Sequence, residues 1–118
     1  MQNYKELKVW EKSHQLVLEI YRVTAKFPKE EIFGVTSQIR RAAASIPANI
    51  AEGCGKNSQL DFANFLNISL GSANEIDYFL LLCKDLNYNS ETDFLELENT
   101  INAIKAMLIN LITKVRSK

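Results

Sequence analysis

Apolar residues recur along this chain at alternating steps of three and four. The clearest run is Phe94, Leu97, Ile101, Ile104, Leu108, Leu111 and Val115. That spacing lays one apolar stripe along one side of a helix and predicts a helix over about 91–117. Ser90 stands before it as a capping residue, with Asp93 three places on. Glu91, Asp93, Glu96 and Glu98 crowd the start, and Lys114, Arg116 and Lys118 crowd the end. Both groups suit the dipole of a helix running in that direction.

Three earlier segments follow the same rule. Over about 58–86 the seam is Phe62, Phe65, Ser69, Ser72, Ile76, Phe79, Cys83 and Leu86. Leu66, Leu70, Ala73 and Leu80 add a second stripe, so this helix is expected to touch more than one neighbour. Small residues at its centre (Ser69, Gly71, Ser72) let a partner backbone come close. Over about 6–27 the expected core seam is Leu7, Trp10, His14, Val17, Tyr21 and Thr24, flanked by Leu16, Ile20, Val23 and Phe27. Pro28 ends that helix, because the residue before a proline avoids helical geometry. Over about 35–56 the seam is Val35, Ile39, Ala43, Ile46, Ile50 and Gly53, on a helix kept narrow by Ala42, Ala44, Ala48 and Ala51. Pro47 falls in its middle. An interior proline removes one backbone hydrogen bond and costs about 3 kcal/mol, so a kink is expected there.

No segment alternates with period two and no hairpin turn signal appears. Short connections between long helices make neighbours antiparallel. The expected fold is all-α: an antiparallel up-down-up-down four-helix bundle, one domain over residues 1–118. Four glycines and two prolines are few for a turn-rich sheet protein. No apolar run reaches the ~20 residues that span a membrane. Residues 1–6 show no apolar signal region, so the expected location is cytoplasmic and no membrane partner is expected.

Net charge is zero, but residues 1–60 carry nine Lys/Arg against six Asp/Glu, and residues 61–118 carry five against eight. A basic half can steer an anionic partner, and helices of opposite charge also suit one another. Cys54 and Cys83 form no CxxC pair. Cys83 is expected in the core, and Cys54, between two glycines, nearer the surface. His14 is the only histidine, and its seam position suits a hydrogen-bonded core residue. No metal-ligand spacing, phosphate-cradling loop, nucleophile elbow or HExxH occurs. The expectation is no enzyme, no cofactor, no metal and no small-molecule substrate.

Several stretches together resemble a known family. They are Leu7 to Lys12, Phe27-Pro28, Gln38 to Ala43, Ser45-Ile46-Pro47-Ala48-Asn49-Ile50-Ala51-Glu52-Gly53, and Leu70 to Glu75. In this order and spacing the chain resembles the 23S ribosomal RNA intervening-sequence proteins. It is also similar to the related accessory variability proteins of diversity-generating retroelements. The resemblance implies a four-helix bundle assembled as a ring-shaped homopentamer. In the retroelement relatives it implies nucleic-acid binding through a basic surface. This chain differs from the strongly basic relatives in its zero net charge.

The candidate nucleic-acid contacts are Lys8, Lys12, Arg40 and Arg41, for RNA or DNA. The alternative for Arg40 and Arg41 is an ion pair between helices or subunits, with Glu75 or Glu52 as partner. Trp10 and Tyr21 could stack on bases, but their seam positions assign them to the core. Asn49, Glu52, Ser72 and Glu75 are the candidates for a polar network that fixes helix register or ring geometry. Two functions stay open: a nucleic-acid-binding oligomeric adaptor, and an oligomeric protein-interaction scaffold. A passenger with no host role is the third.

Overall fold

The computed structural model describes residues 2–117. Lys118, counted above at the basic end of the last helix, lies outside the described residues. Four helices make up the body: α1 Lys8–Thr24, α2 Val35–Cys54, α3 Gln59–Asp85 and α4 Glu91–Arg116. Short 3-10 turns at Tyr4–Glu6 and Lys29–Glu31 precede α1 and α2. Among the described residues there is no strand. Each helix packs on its neighbours in sequence, and α4 closes onto α1. The body measures 45 × 23 × 20 Å.

Cross-helix contacts fix the antiparallel register. Ser72 meets Ser45, and Ser69, three residues earlier, meets Ile46. Lys105 of α4 meets Asp77 of α3 at 3.0 Å. Arg22 near the end of α1 meets Asp93 near the start of α4 at 3.4 Å. The fold is the four-helix bundle that the spacing predicts.

Local chemistry ends each helix where it does. The Ser58 and Ser90 hydroxyls accept the third backbone N–H of α3 and α4 at 3.1 and 3.0 Å. Those N–H groups have no partner inside the helix, so the caps satisfy them. α3 stops at a left-handed Asn87, φ 61°. The Tyr88 N–H then reaches back to the Cys83 carbonyl, and the Asn87 N–H to that of Lys84. This paired closure is one of the common helix endings, with Asn in the place glycine usually takes.

That ending aims Tyr88 at the α1–α2 connection. Its hydroxyl donates to Glu31 Oε2 at 2.7 Å, and its ring packs 5.4 Å from Phe27. Glu31 Oε1 in turn accepts the first N–H of α2, from Val35, at 3.3 Å. Gly34 leaves room for this: a Cβ there would lie 2.5 Å from Glu31 Oε1. One carboxylate therefore caps α2 and ties the two connections at that end of the bundle together.

The core confirms three of the four expected seams. α2 buries Val35, Ile39, Ala43, Ile46 and Ile50. α3 buries Phe62, Ser69, Ile76, Phe79 and Cys83 of its first stripe and Leu66, Ala73 and Leu80 of its second. Phe65, Leu70 and Ser72 are half-buried, and Leu86, just past the helix, is exposed. α4 buries its own stripe, with Ile112 taking the place expected for Leu111. α1 differs. Its buried positions are Val9, Ser13, Leu16, Ile20, Val23 and Thr24. Trp10 and Val17 are half-buried, and His14 and Tyr21 are exposed. The aliphatic stripe wins the core because it packs there without polar atoms to satisfy. Ser13 solves that problem locally by donating to the Val9 carbonyl at 2.6 Å.

Pro47 is buried inside α2, which stays helical on both sides of it. The Ser69 hydroxyl donates to the carbonyl of the preceding residue, Ile46, at 2.9 Å, tying α2 to α3 beside the proline. Cys54 is 3% exposed, not the surface thiol expected from its glycine neighbours.

Candidate assembly and nucleic-acid surfaces

Small polar residues at matching heights on α2 and α3 make the first surface. Asn49 Nδ2 donates to the Ser45 carbonyl at 2.8 Å and to Ser45 Oγ at 2.9 Å. Ser72 Oγ donates to Ser45 Oγ at 2.9 Å. Ser45, Asn49 and Ser72 thus form one hydrogen-bonded chain across the two helices. A shallow polar groove runs alongside, lined by Gln38, Arg41, Ala42, Ser45, Ser72 and Glu75. Glu75 lies in that groove, outside the chain of hydrogen bonds. Glu52 points elsewhere, to Lys56 at 4.0 Å. Both of those groups are well exposed, and such a pair contributes little.

The four candidate cations occupy three places. Arg40 faces α1: its Nε donates to Thr24 Oγ1 at 2.8 Å, and its guanidinium lies 4.5 Å from the centre of the Tyr21 ring. A guanidinium over an aromatic face is held by the ring's electron density. Its partners are thus a hydroxyl and a ring instead of the carboxylates weighed above. Arg41, next in sequence, is exposed on the α2–α3 groove. Among the described residues it has no carboxylate within 4.0 Å. Lys8 and Lys12 line a trough between α1 and α4 with Glu11, Gln15, Ala103 and Met107. Lys8 also borders the next depression along that seam, with Lys114 opposite.

The third surface lies between α1 and α2 and is largely apolar. Tyr4, Trp10, His14 and Val17 form one wall; Ala44, Pro47, Ala48 and Ala51 form the other. The Trp10 and His14 rings stack 5.2 Å apart at 5°, and Tyr4 meets Trp10 edge-on at 5.0 Å. Tyr21, 47% exposed, continues the wall. The sequence holds the signal for this surface in the second apolar stripe of α1, which reads as core when taken alone. Three of the four alanines that narrow α2 form its second wall with Pro47 among them, while Ala42 lines the α2–α3 groove.

Nucleophilic chemistry finds little support. Burial raises the Cys54 thiol above its ordinary range. Burial, and then the charge of Glu31, push Cys83 up to about 11. Both are held as protonated thiols, the unreactive form. Among the described residues no three His, Cys, Asp or Glu side chains gather to hold a metal ion. No described helix is long and apolar enough to cross a membrane.

Comparison with known proteins agrees with the fold. None of the curated proteins compared with the chain matches it. A crystal structure of a protein of unknown function from Bacteroides thetaiotaomicron, of the S23 ribosomal protein family, is similar over 89% of this chain and 95% of that one. The two share 33% sequence identity and superpose with a TM-score of 0.82. The family model described as 23S rRNA-intervening sequence protein matches residues 5–110, from before α1 to well into α4. This chain belongs to the 23S rRNA-intervening sequence protein family.

Proposed function

We propose that this protein is a non-enzymatic, self-assembling helical bundle. The observation that carries this reading is the uncovered apolar surface between α1 and α2. An open apolar depression lined by aromatic and small residues, with Tyr21 exposed beside it, is the kind of surface a second protein copy can cover. Copies of the same chain are the occupants, and the resemblance to ring-forming bundles sets five as the expected number. The test is sedimentation velocity on the purified protein, beside Val17→Asp and Ala48→Glu. The wild type should sediment as an oligomer and both variants as folded monomers. A wild type that stays monomeric at high concentration would overturn the proposal.

A second observation favours nucleic acid as the assembly's partner. Lys8, Lys12 and Lys114 follow one another along the α1–α4 seam, and none has a carboxylate within 4.0 Å among the described residues. Repeated around a ring, a modest lysine row becomes a strong field despite zero net charge. Binding to structured RNA and duplex DNA should then fall steeply with salt, at roughly 0.7–0.9 log units per log unit of salt for each phosphate contact. Reversing the three lysines to Glu should abolish binding and leave the oligomer intact. No binding by the wild type at low salt would leave the protein-interaction scaffold as the function.

A further inference from the structure

The turn between α1 and α2 carries the most exposed large apolar side chain of the described residues. Phe33 is 94% exposed, with Ile32 beside it. The turn presents them from a fixed position. Glu31 is held by Tyr88 and by the Val35 N–H, and Gly34 leaves the room that this needs. Phe33 and Ile32 together make an exposed apolar patch on a braced turn, which is more informative than a lone Leu on a helix face.

The α1–α2 trough is the matching cavity on the same molecule. Its volume is about 310 Å³, and its walls are Trp10, Val17, Pro47 and alanines. Its lining residues include no carboxylate. Cations stand at either end: Lys5 over the Tyr4 ring and Arg40 over Tyr21. On the turn, Lys29 and Glu30 are exposed, and Glu30 is three residues from Phe33 with no ion pair among the described residues. Ring, trough and charge are therefore complementary, and Phe33 is not among the residues that line the trough of its own copy.

We infer that Phe33 of one copy inserts into the α1–α2 trough of the next, with Glu30 against the cationic rim. This rests on the self-assembly reading and specifies its contact as head-to-side. Such a contact joins two different surfaces, so it propagates from copy to copy and closes a ring when the rotation permits.

Complementation between two broken variants tests it. Phe33→Asp removes the knob and keeps the trough; Ala48→Glu blocks the trough and keeps the knob. Both positions are exposed, and circular dichroism with a thermal melt checks that each variant is folded. Each alone should dissociate, with the association constant lowered about 30-fold or more, the mark of a central interface contact. Mixed, they should form a one-to-one dimer and stop there, because one intact knob meets one intact trough. Trp10, the only tryptophan, lies in the trough, so its emission should shift on mixing. If Phe33→Asp assembles like the wild type, this contact is wrong while self-assembly stands. If the mixture yields no dimer, the pairing of knob with trough is wrong. If the wild type itself is monomeric, both readings fail.

Discussion

α2 meets α3 through small residues and hydrogen bonds, whereas α1 meets α4 through long side chains over an open seam. On the first side, Gly53 sits so close that a Cβ would lie 2.9 Å from Phe65 Cβ. Ala43, Ala63 and Ala73 are fully buried, and Ser69 and Ser72 bond across to α2. On the second side, Lys8, Lys12, Met107 and Lys114 border depressions. A close-packed interface has few ways to relax after a change, while an open one adjusts at little cost. The comparison teaches a division of labour: one seam sets register, and the other is free to present charge.

The sharpest way to break this comparison is to empty the tight side. Ile46→Ala should cost about 2–5 kcal/mol, the usual range for truncating a fully buried aliphatic side chain. Urea unfolding at fixed protein concentration measures it; a loss below 1 kcal/mol would mean that α2 relaxes as freely as α1. The next effect comes with alkali. Cys83 has a folded-state pKa raised from 9.0 to about 11, so the folded state keeps its proton longer than the unfolded chain. Its contribution is full below pH 9 and is lost as pH rises through 11. The loss should total about 2–3 kcal/mol. Melts from pH 8 to 11 should show this limb, and Cys83→Ala should shrink it to the part that the raised Cys54 thiol leaves; an unchanged limb in the variant would place its origin elsewhere.

Ser69→Ala should cost about 1 kcal/mol, since the Ile46 carbonyl loses its bond from α3. A neutral result in the same urea assay would show that the bond beside Pro47 adds nothing net. The smallest effect belongs to the open seam. Met107→Ala should cost about 0.5–1 kcal/mol, because its side chain is only half-buried against the core. A cost above 2 kcal/mol would erase the contrast between the two seams.

The architecture was legible because α2 and α4 each carry one dominant apolar period, and both stripes of α3 face helices of the bundle. α1 carries two. Its Trp10–His14–Val17–Tyr21 stripe keeps the same three-four spacing as the buried Val9–Leu16–Ile20–Val23 side, so spacing alone does not say which of the two faces the core. Aromatic rings with polar edges suit half-exposed positions, and plain aliphatics suit dry ones. Read that way, the second stripe of α1 marks an outward face, just as the second stripe of α3 marks a second neighbour. Cys54 went wrong for a related reason: glycines beside a residue say how the backbone bends, not what covers the side chain. Scattered cations were the least legible feature. Arg40 and Arg41 are adjacent, yet helical geometry turns them about 100° apart, toward α1 and α3. Only the packed bundle shows that Lys8 and Lys12 have Lys114 for company.

The Glu31–Tyr88 bond has a kinetic consequence. It joins residues 57 apart in sequence, while Ser69–Ile46 and Asp77–Lys105 close separations of 23 and 28. Shorter loops close at lower entropic cost, so the α2–α3 and α3–α4 hairpins should assemble before the brace does. Tyr88→Phe should then leave the folding rate nearly unchanged and speed unfolding, which stopped-flow chevrons would resolve. The brace would act as a latch on a finished bundle, setting how long it stays folded and not how quickly it forms.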